Sequence, residues 1–414
     1  MVTVLDTAEE NKLRKKIDAL GMRGIRLIAG LAAEHESSHG AFDLAVLSPG
    51  IDPAVPLVQN FLERRIKMIG ELELAYELCR CPIVGITGTN GKTTTTQLVE
   101  KMLNSCGVKT LAAGNIGPAF SARVKQSADL DVMTLEISSF QLERIERFRC
   151  HTAVWLGFAP DHLDRYATME EYYAAKIRIF ENQTANDWAV VNLRDRLPQL
   201  KAQKIAFSAY ESGGDFELRS GVIHFREEPV LRMSDAKLRG SHNAENLMAA
   251  LGVGFVHGLS FGAMHGPLCA YEPLPHRCEP IRVARAVEWV NDSKGTNPDS
   301  VEKALHSETR PVVLIVGGKD KGFEYEMLTE LVATKCRAAV TIGEMSDRIE
   351  AIWKDRVPVE NAGRSLEKAV ELAAGLAQSG DVVLFSPGTS SFDMFKNYAD
   401  RGNQFRALVQ ALPA

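Results

Sequence analysis

The sequence has no apolar run approaching the roughly 20 residues of a membrane span, so no helical anchor is expected. It also lacks an excess of basic charge, and a formal net charge of -5 offers no electrostatic footprint for nucleic acid. Its first residues, Met-Val-Thr-Val-Leu-Asp, carry neither the charged nor the apolar region of a signal peptide. The seven cysteines (Cys79, Cys81, Cys106, Cys150, Cys269, Cys278, Cys336) are scattered, odd in number and without a CxxC pair. That excludes a disulfide framework and reads as reduced, mostly buried thiols in a cytoplasmic enzyme. There is no low-complexity segment and no repeat of fixed period, which excludes a solenoid. What remains is the composition of a soluble globular protein, 45% apolar and 24% charged. At 414 residues the chain exceeds one compact core, and three domains are expected.

The most informative stretch is residues 83–96, Ile-Val-Gly-Ile-Thr-Gly-Thr-Asn-Gly-Lys-Thr-Thr-Thr-Thr, in which an apolar strand runs into a glycine turn and then a lysine. Gly88 and Gly91 have no side chain to block a ligand, so backbone N–H groups can curl round phosphate oxygens at the start of the following helix. The nucleotide-binding set is then Gly88, Thr89, Asn90, Gly91, Lys92, Thr93 and Thr94. Lys92 reaches the β/γ-phosphates, and the Thr93 hydroxyl is placed to ligate Mg²⁺. The spacing departs from the strict Walker form, because Ile86 stands where the first glycine belongs. The plain alternative is a turn of structural glycines before an ordinary helix.

Taken in order, the chain reads as α/β throughout, with an N-terminal Rossmann-like domain over 1–71, a central parallel-sheet domain of the phosphate-loop ATPase type over 72–273 and a C-terminal Rossmann-like domain over 274–414. The first begins with a strand over 2–6 ending in Asp6, a helix over 8–20, apolar runs at 25–29 and 44–47, and one helix through 56–78. The second carries strands over 109–113, 131–136, 153–156, 188–192 and 204–207, and a hairpin across 216–225 turning at Ser220-Gly221. Helices follow at 169–180 and 243–256. Pro273 to Arg277 is the best linker. Beyond it, apolar runs at 287–290, 312–316, 338–342 and 382–385 alternate with helices, Pro298 marking a first turn and Ser365 an N-cap. The polar candidates all fall at or just past the C-terminal ends of strands, where open α/β sheets bind ligands.

Several of these candidates stay ambiguous on residue type alone. Glu136, ending a strand, can meet a Mg²⁺ held by Thr93 or simply face solvent. His162 lies among Asp161, Asp164 and Arg165 and suits a metal or a phosphate, or is a surface histidine in a turn. Lys176 by itself is an ordinary helix lysine. Asn243 and Asn246 stand one helical turn apart and can face one ligand, unless Asn243 is an N-cap. Arg277 has a fork suited to phosphate, but a salt bridge to Asp292 is equally consistent. Lys294, Thr296, Lys321, Ser391 and Phe392 sit in loops after strands, on one edge.

In the same order, Gly-Thr-Asn-Gly-Lys-Thr-Thr, Glu-Ile-Ser-Ser-Phe-Gln-Leu-Glu (136–143), Asp-His-Leu-Asp-Arg-Tyr (161–166), Ala-Ala-Lys (174–176), His-Asn-Ala-Glu-Asn (242–246), Pro-His-Arg (275–277), Asn-Asp-Ser-Lys-Gly-Thr-Asn (291–297) and Ser-Phe-Asp-Met-Phe-Lys-Asn-Tyr (391–398) give a chain that resembles the Mur ligases over nearly its whole length. Ser-Ser-Phe-Gln-Leu-Glu and the last motif favour the members that add D-glutamate to UDP-N-acetylmuramoyl-L-alanine. The resemblance implies an ATP-dependent amide ligation through an acyl phosphate, with Lys92, His162 and Lys176 as catalytic residues. It implies two Mg²⁺ sites, one on Thr93 and Glu136 and one on His162 and Lys176, with Lys176 carbamylated. Asn243, Asn246, Arg277 and Asp292 would bind ATP. Asp6, Thr7, Ser48 and Asn115 would touch the UDP-sugar, and Lys294, Thr296, Lys321, Ser391 and Phe392 the D-glutamate region. A monomer is expected, with no nucleic-acid or membrane partner.

One departure from the family pattern concerns the start. The family's first domain opens with a strand and a glycine-rich turn that cradles the uridine diphosphate, whereas this sequence begins at what matches the second strand; a small sheet that never had that unit is the alternative. Two other functions stay open: a nucleotide-binding homologue without turnover, and a related ligase with another amino-acid substrate.

Overall fold

A computed structural model describes residues 1–162 and 165–413; Leu163 and Asp164, inside the Asp161-to-Tyr166 motif, lie outside the described residues. Strand Ile83–Thr87 sits within a nine-stranded sheet, and every one of its residues is buried, as a parallel strand covered on both faces must be. Val132–Glu136 and Thr152–Trp155 flank it in parallel, and Ile86 is in register with Glu136. Thr110–Gly114 forms one edge, while Trp188–Asn192 and Gln203–Ser208 extend the other side. There the sheet becomes antiparallel through the hairpin Phe216–Arg219 and Val222–Phe225, with Ser220 and Gly221 both at positive φ as a two-residue hairpin turn demands. An unforeseen last strand, Glu228–Arg232, contains Pro229, which an edge position tolerates. Helices Lys92–Ser105 and Ser241–Val256 share one apolar cluster over the sheet, built from Leu98, Val99, Met102, Leu247, Met248 and Leu251.

The C-terminal sheet runs Glu279–Ala284, Val287–Asn291, Val382–Phe385, Val312–Val316, Cys336–Thr341 and Val359–Asn361, parallel except for its first strand. Asn297 caps helix Pro298–Ser307 and Ser365 caps Leu366–Leu376, each accepting a backbone N–H. At the N-terminus two separate parallel pairs, Thr3–Asp6 with Arg26–Ala29 and Ala45–Leu47 with Met68–Gly70, cover a small core of Ala33, Leu57, Val58 and Phe61. Within the described residues no helix is long and apolar enough to cross a membrane.

Two expectations need correction. The single helix over 56–78 is instead Pro56–Glu63, the strand Met68–Gly70 and Glu71–Leu78. Arg65 adopts φ 55, and the N–H groups of Arg65 and Ile66 return to the carbonyls of Leu62 and Phe61, a left-handed helix stop that sequence signals only when glycine fills it. The thiols are all free, but just Cys150 and Cys336 are buried. The others, such as Cys79 and Cys106, sit at the ends of elements, where covering is incomplete.

Glu73 fixes the approach to this sheet. Its carboxylate, 1% exposed, accepts the N–H groups of Glu146 (2.8 Å), Arg147 (2.8 Å) and Phe148 (2.9 Å), pinning helix Glu71–Leu78 to the segment leading into Thr152–Trp155. Glu73→Ala removes all three acceptor contacts; at about 1–3 kcal/mol for the buried Phe148 donor and less for the part-buried donors of Glu146 and Arg147, a loss of about 2–4 kcal/mol is expected in urea unfolding. A loss below about 1 kcal/mol would show that water takes over those donors.

Candidate active site

The turn after Ile83–Thr87 is shaped by close packing. Gly88 lies at φ 149 and Gly91 at φ 84, and a Cβ on Gly91 would stand 2.4 Å from Asn246 Oδ1. Both positions therefore demand glycine through conformation and space together. Lys92 donates to the carbonyls of Gly88 (2.9 Å) and Thr89 (2.8 Å). Lys176, 1% exposed, reaches from helix Met169–Ile177 to donate to the same Gly88 carbonyl at 2.9 Å, with its nitrogen 4.9 Å from the Tyr172 ring centre. Burial lowers the pKa of both lysines, Lys176 well below the usual value and further through the charge on Lys92; Glu136 and Asp161 pull both back up.

Glu136 is buried at the end of the neighbouring strand. Its Oε1 accepts from Asn115 Nδ2 at 2.7 Å, and its Oε2 has no hydrogen-bond partner. Thr93 is half-buried on the first turn of the phosphate-loop helix. His162 takes φ 56 and packs edge-on against Phe140 (4.9 Å) and Tyr172 (5.7 Å), with Nε2 3.9 Å from Asp161 Oδ2. Burial holds its pKa below the ordinary value, opposed by Asp161 and assisted by Lys321, Lys92 and Lys176. Among the described residues no group of three His, Cys, Asp or Glu side chains makes a metal site by itself. Thr93, Glu136, His162 and Lys176 thus form no closed cage of protein ligands.

Asp161 was only a neighbour in the sequence reading, and the structure gives it a part of its own. Its carboxylate accepts from Asn297 Nδ2 (3.1 Å) and Lys321 Nζ (3.2 Å), both from the C-terminal half. The phosphate loop is gripped in the same way: Asn90 Nδ2 donates to Asn297 Oδ1 (3.2 Å) and Asp299 Oδ2 (2.5 Å), and Ser300 Oγ donates to Asn90 Oδ1 (3.2 Å). Pro298, marking the first turn of a helix, is the sequence signal nearest this junction.

Asn90, Gly91 and Thr94 form one wall of a cavity of about 80 Å³ whose other walls carry Asn243, Asn246, Arg277, Asp292 and Lys294. An adjoining cavity of about 510 Å³ shares Asn243 and Arg277. Asn246 Nδ2 donates to Asn243 Oδ1 (3.0 Å) and Asn246 Oδ1 accepts from Thr95 Oγ1 (3.1 Å), while Gly240, not Asn243, caps the helix. Asp292 accepts from Ser386 Oγ (2.7 Å) and the Cys278 N–H (3.2 Å), and burial pushes its pKa up to about 6. No ion pair joins it to Arg277 among the described residues, so the salt-bridge reading is not what the structure has. Lys294 lies 3.8 Å from the ring centre of Tyr398, a contact across about a hundred residues that no local motif announces, and burial lowers its pKa to about 8.

The remaining candidates lie outside this cavity. Thr296 is half-buried beside Asn297, and Ser391 is 2% exposed, whereas Phe392 is 68% exposed. The buried Arg401 donates to Ser293 Oγ (3.0 Å), Ser293 O (2.7 Å) and Thr389 O (3.1 Å) without a carboxylate in hydrogen-bonding range among the described residues; burial lowers its pKa to about 10. Asp6 accepts the Ala8 N–H at 2.9 Å, next to an exposed Thr7, at the end of the first strand. Ser48 borders a small cleft with Phe140, Gln141 and Arg165.

A lysine-bearing phosphate loop at the end of a parallel sheet, closed by polar groups from a second sheet domain, defines a multidomain nucleotide-binding α/β protein. Residues 86–254 match the Mur ligase middle domain, and residues 276–388 the Mur ligase glutamate ligase domain. The UDP-N-acetylmuramoylalanine–D-glutamate ligase of Geotalea daltonii is 41% identical over 99% of this chain and 92% of its own length. That of Alkaliphilus metalliredigens is 38% identical over 99% and 93%. A pseudomurein peptide ligase type C from Methanothermus fervidus shares the fold, with a TM-score of 0.64 over 99% of this chain and 94% of that one at 16% identity. The chain belongs to the Mur ligase family, whose members are ATP-dependent, amide-bond-forming enzymes.

Asp292 gives this site a pH signature. Its folded-state pKa of about 6 lies above the usual carboxylate value, so the folded protein takes up a proton before the unfolded chain as pH falls. Compared with Asp292→Asn, the wild type should therefore gain about 1.4 kcal/mol of stability between pH 7.5 and pH 5. Urea midpoints at the two pH values measure it, and parallel curves would mean that Asp292 titrates normally.

Proposed function

We propose that the chain joins D-glutamate to UDP-N-acetylmuramoyl-L-alanine at the expense of ATP. The observation that carries this reading is the pair of lysines on the Gly88 carbonyl, Lys176 buried and Lys92 half-buried, with Glu136 and Asp161 opposing their charge, in a chain that follows D-glutamate ligases over 99% of its length. A carboxylate is a poor electrophile, so the γ-phosphoryl group is first moved onto it. The amine of D-glutamate then attacks the acyl phosphate, and the tetrahedral intermediate collapses with loss of phosphate. Lys92 leaves its two loop carbonyls to meet the β/γ-phosphates, while Lys176 keeps the Gly88 carbonyl satisfied. Asn243, Asn246, Arg277 and Asp292 hold the nucleotide. Asp6, Thr7, Ser48 and Asn115 face the UDP-sugar, and Lys294, Thr296, Lys321, Ser391 and Phe392 serve the D-glutamate end.

The donors present suit two Mg²⁺ ions. Glu136 Oε2, buried and unpartnered, fits one together with Thr93, and His162 fits the other together with Lys176 as a carbamate, since burial favours the neutral amine that carbon dioxide modifies. When bound, the metal neutralises charge building on the transferring phosphoryl group. In this reading the protein works as a cytoplasmic monomer.

Lys92→Ala should abolish phosphate release in the presence of all three substrates while leaving the melting temperature within a few degrees. Turnover within about threefold of wild type, a barrier change under about 1 kcal/mol, would sink the assignment. Offering D-glutamate, L-glutamate and meso-diaminopimelate in the same assay tests the amino-acid substrate, with only the first expected to release phosphate.

Lys176→Ala should be nearly inactive, partly recover with acetate, which can fill the vacated metal position, and bind ATP with unchanged affinity in titration calorimetry. No rescue, together with indifference of the wild type to bicarbonate depletion, would return Lys176 to a purely electrostatic part.

A further inference from the structure

At the opposite end of the phosphate-loop strand from the nucleotide, Cys79 and Cys81 border a cavity of about 700 Å³ with Arg80, Arg147, Arg149 and His151. Cys79 terminates helix Glu71–Leu78, and its thiol donates to the Cys81 carbonyl at 3.4 Å, so the chain turns back within three residues. Both side chains are half-buried, packing against the rim of the apolar core and bordering the cavity. Two residues of chain can span at most about 7 Å, which keeps the two Cα atoms at or near the span of about 4.4–6.8 Å that a disulfide needs.

The surroundings are cationic. Glu77 is the one carboxylate on the lining. Arg149 meets Asp187 at 3.7 Å, and neither Arg80 nor Arg147 forms an ion pair among the described residues. Cations beside a thiol favour its thiolate and attract anions to it. The neighbouring Cys81 thiol holds the Cys79 pKa below the ordinary thiol value against the opposing effect of burial, and Cys79 with burial raises that of Cys81. None of this takes part in the ligation chemistry, which lies past the other end of the strand.

We propose that Cys79 and Cys81 form a redox-active thiol pair whose oxidant is an anionic low-molecular-weight disulfide. The Cys79 thiolate attacks one sulfur of RSSR, the S–S bond breaks, and RS⁻ leaves as a Cys79–S–S–R bond forms. Cys81 then gives its proton to solvent, attacks the Cys79 sulfur and displaces the second RS⁻. The protein loses two protons and two electrons overall, and RSSR becomes two RSH. Cys79 is the attacking residue and Cys81 the resolving one. Arg80, Arg147 and Arg149 select the charge of the reagent.

The reduced full-length protein, treated with oxidised glutathione, should lose two titratable thiols and about 2 Da, with peptide mapping placing the new bond between Cys79 and Cys81. Cys81→Ser should retain one glutathione on Cys79, and Cys79→Ser should react at least about tenfold more slowly. Arg147→Ala should slow the reaction with oxidised glutathione and leave that with the neutral bis(2-hydroxyethyl) disulfide unchanged. The proposal is overturned if the wild-type modification maps to other cysteines, or if both serine variants react at equal rates. Equal slowing of Arg147→Ala with the charged and neutral disulfides overturns the choice of an anionic oxidant. The wild-type map stands whether or not a variant folds well.

Discussion

Two lysine nitrogens, those of Lys92 and Lys176, share the carbonyl oxygen of Gly88, and much of the surrounding structure follows from making that tolerable. Like charges brought together out of water repel strongly and lose hydration. Glu136 and Asp161 oppose both penalties from two different strand ends, and the Tyr172 ring adds its negative face. The shared oxygen also explains why the turn has so little freedom. It must aim its carbonyl inward while Gly91 lies against Asn246, and no side chain fits at that point.

Charge compensation extends into the other domain. Asp161 faces Lys92 and Lys176 and at the same time receives Lys321 and Asn297, so the carboxylate that offsets the loop also ties the second sheet to it. Asn90 does the same, its amide held by the Asp299 carboxylate and by Asn297 and Ser300. The cavity therefore belongs to neither domain. Its floor is the phosphate loop and its roof the loops around Asp292 and Lys294, with the helix of Asn243 and Asn246 along one side.

How much of this could be read beforehand divides along physical lines. Strand Ile83–Thr87, the glycine turn and the Ser220-Gly221 hairpin were legible because their signals are local: apolar runs, positive-φ residues and a lysine at fixed spacing. The polar groups at strand ends were legible as a set because parallel sheets bring those ends together. The helix stop at Arg65 was not, since an arginine in a left-handed conformation leaves no compositional trace. The tertiary pairs were equally silent. Lys294 over Tyr398, Lys321 on Asp161 and Asn90 against Asp299 join residues far apart in sequence, and each partner taken alone looks like an ordinary solvated side chain. Arg277 and Asp292 erred the other way: a natural-looking ion pair proved to be two separate liners of one cavity.

Arg401 makes the opposite choice from the lysines. Its guanidinium is buried behind the loops of the C-terminal site with carbonyls and a hydroxyl as partners and no carboxylate in hydrogen-bonding range among the described residues. Asp393 and Asp292 offset the Arg401 charge only from beyond hydrogen-bonding range, and burial lowers the pKa of Lys294 as well. An anion docking there returns free energy that folding alone gives up, and any ligand bound only by the native state shifts the folding equilibrium in proportion to its concentration. The lifetime of the folded protein in a cell is thus linked to the supply of its anionic ligands: a starved pool leaves more of the chain open to unfolding and proteolysis, and a full pool protects it.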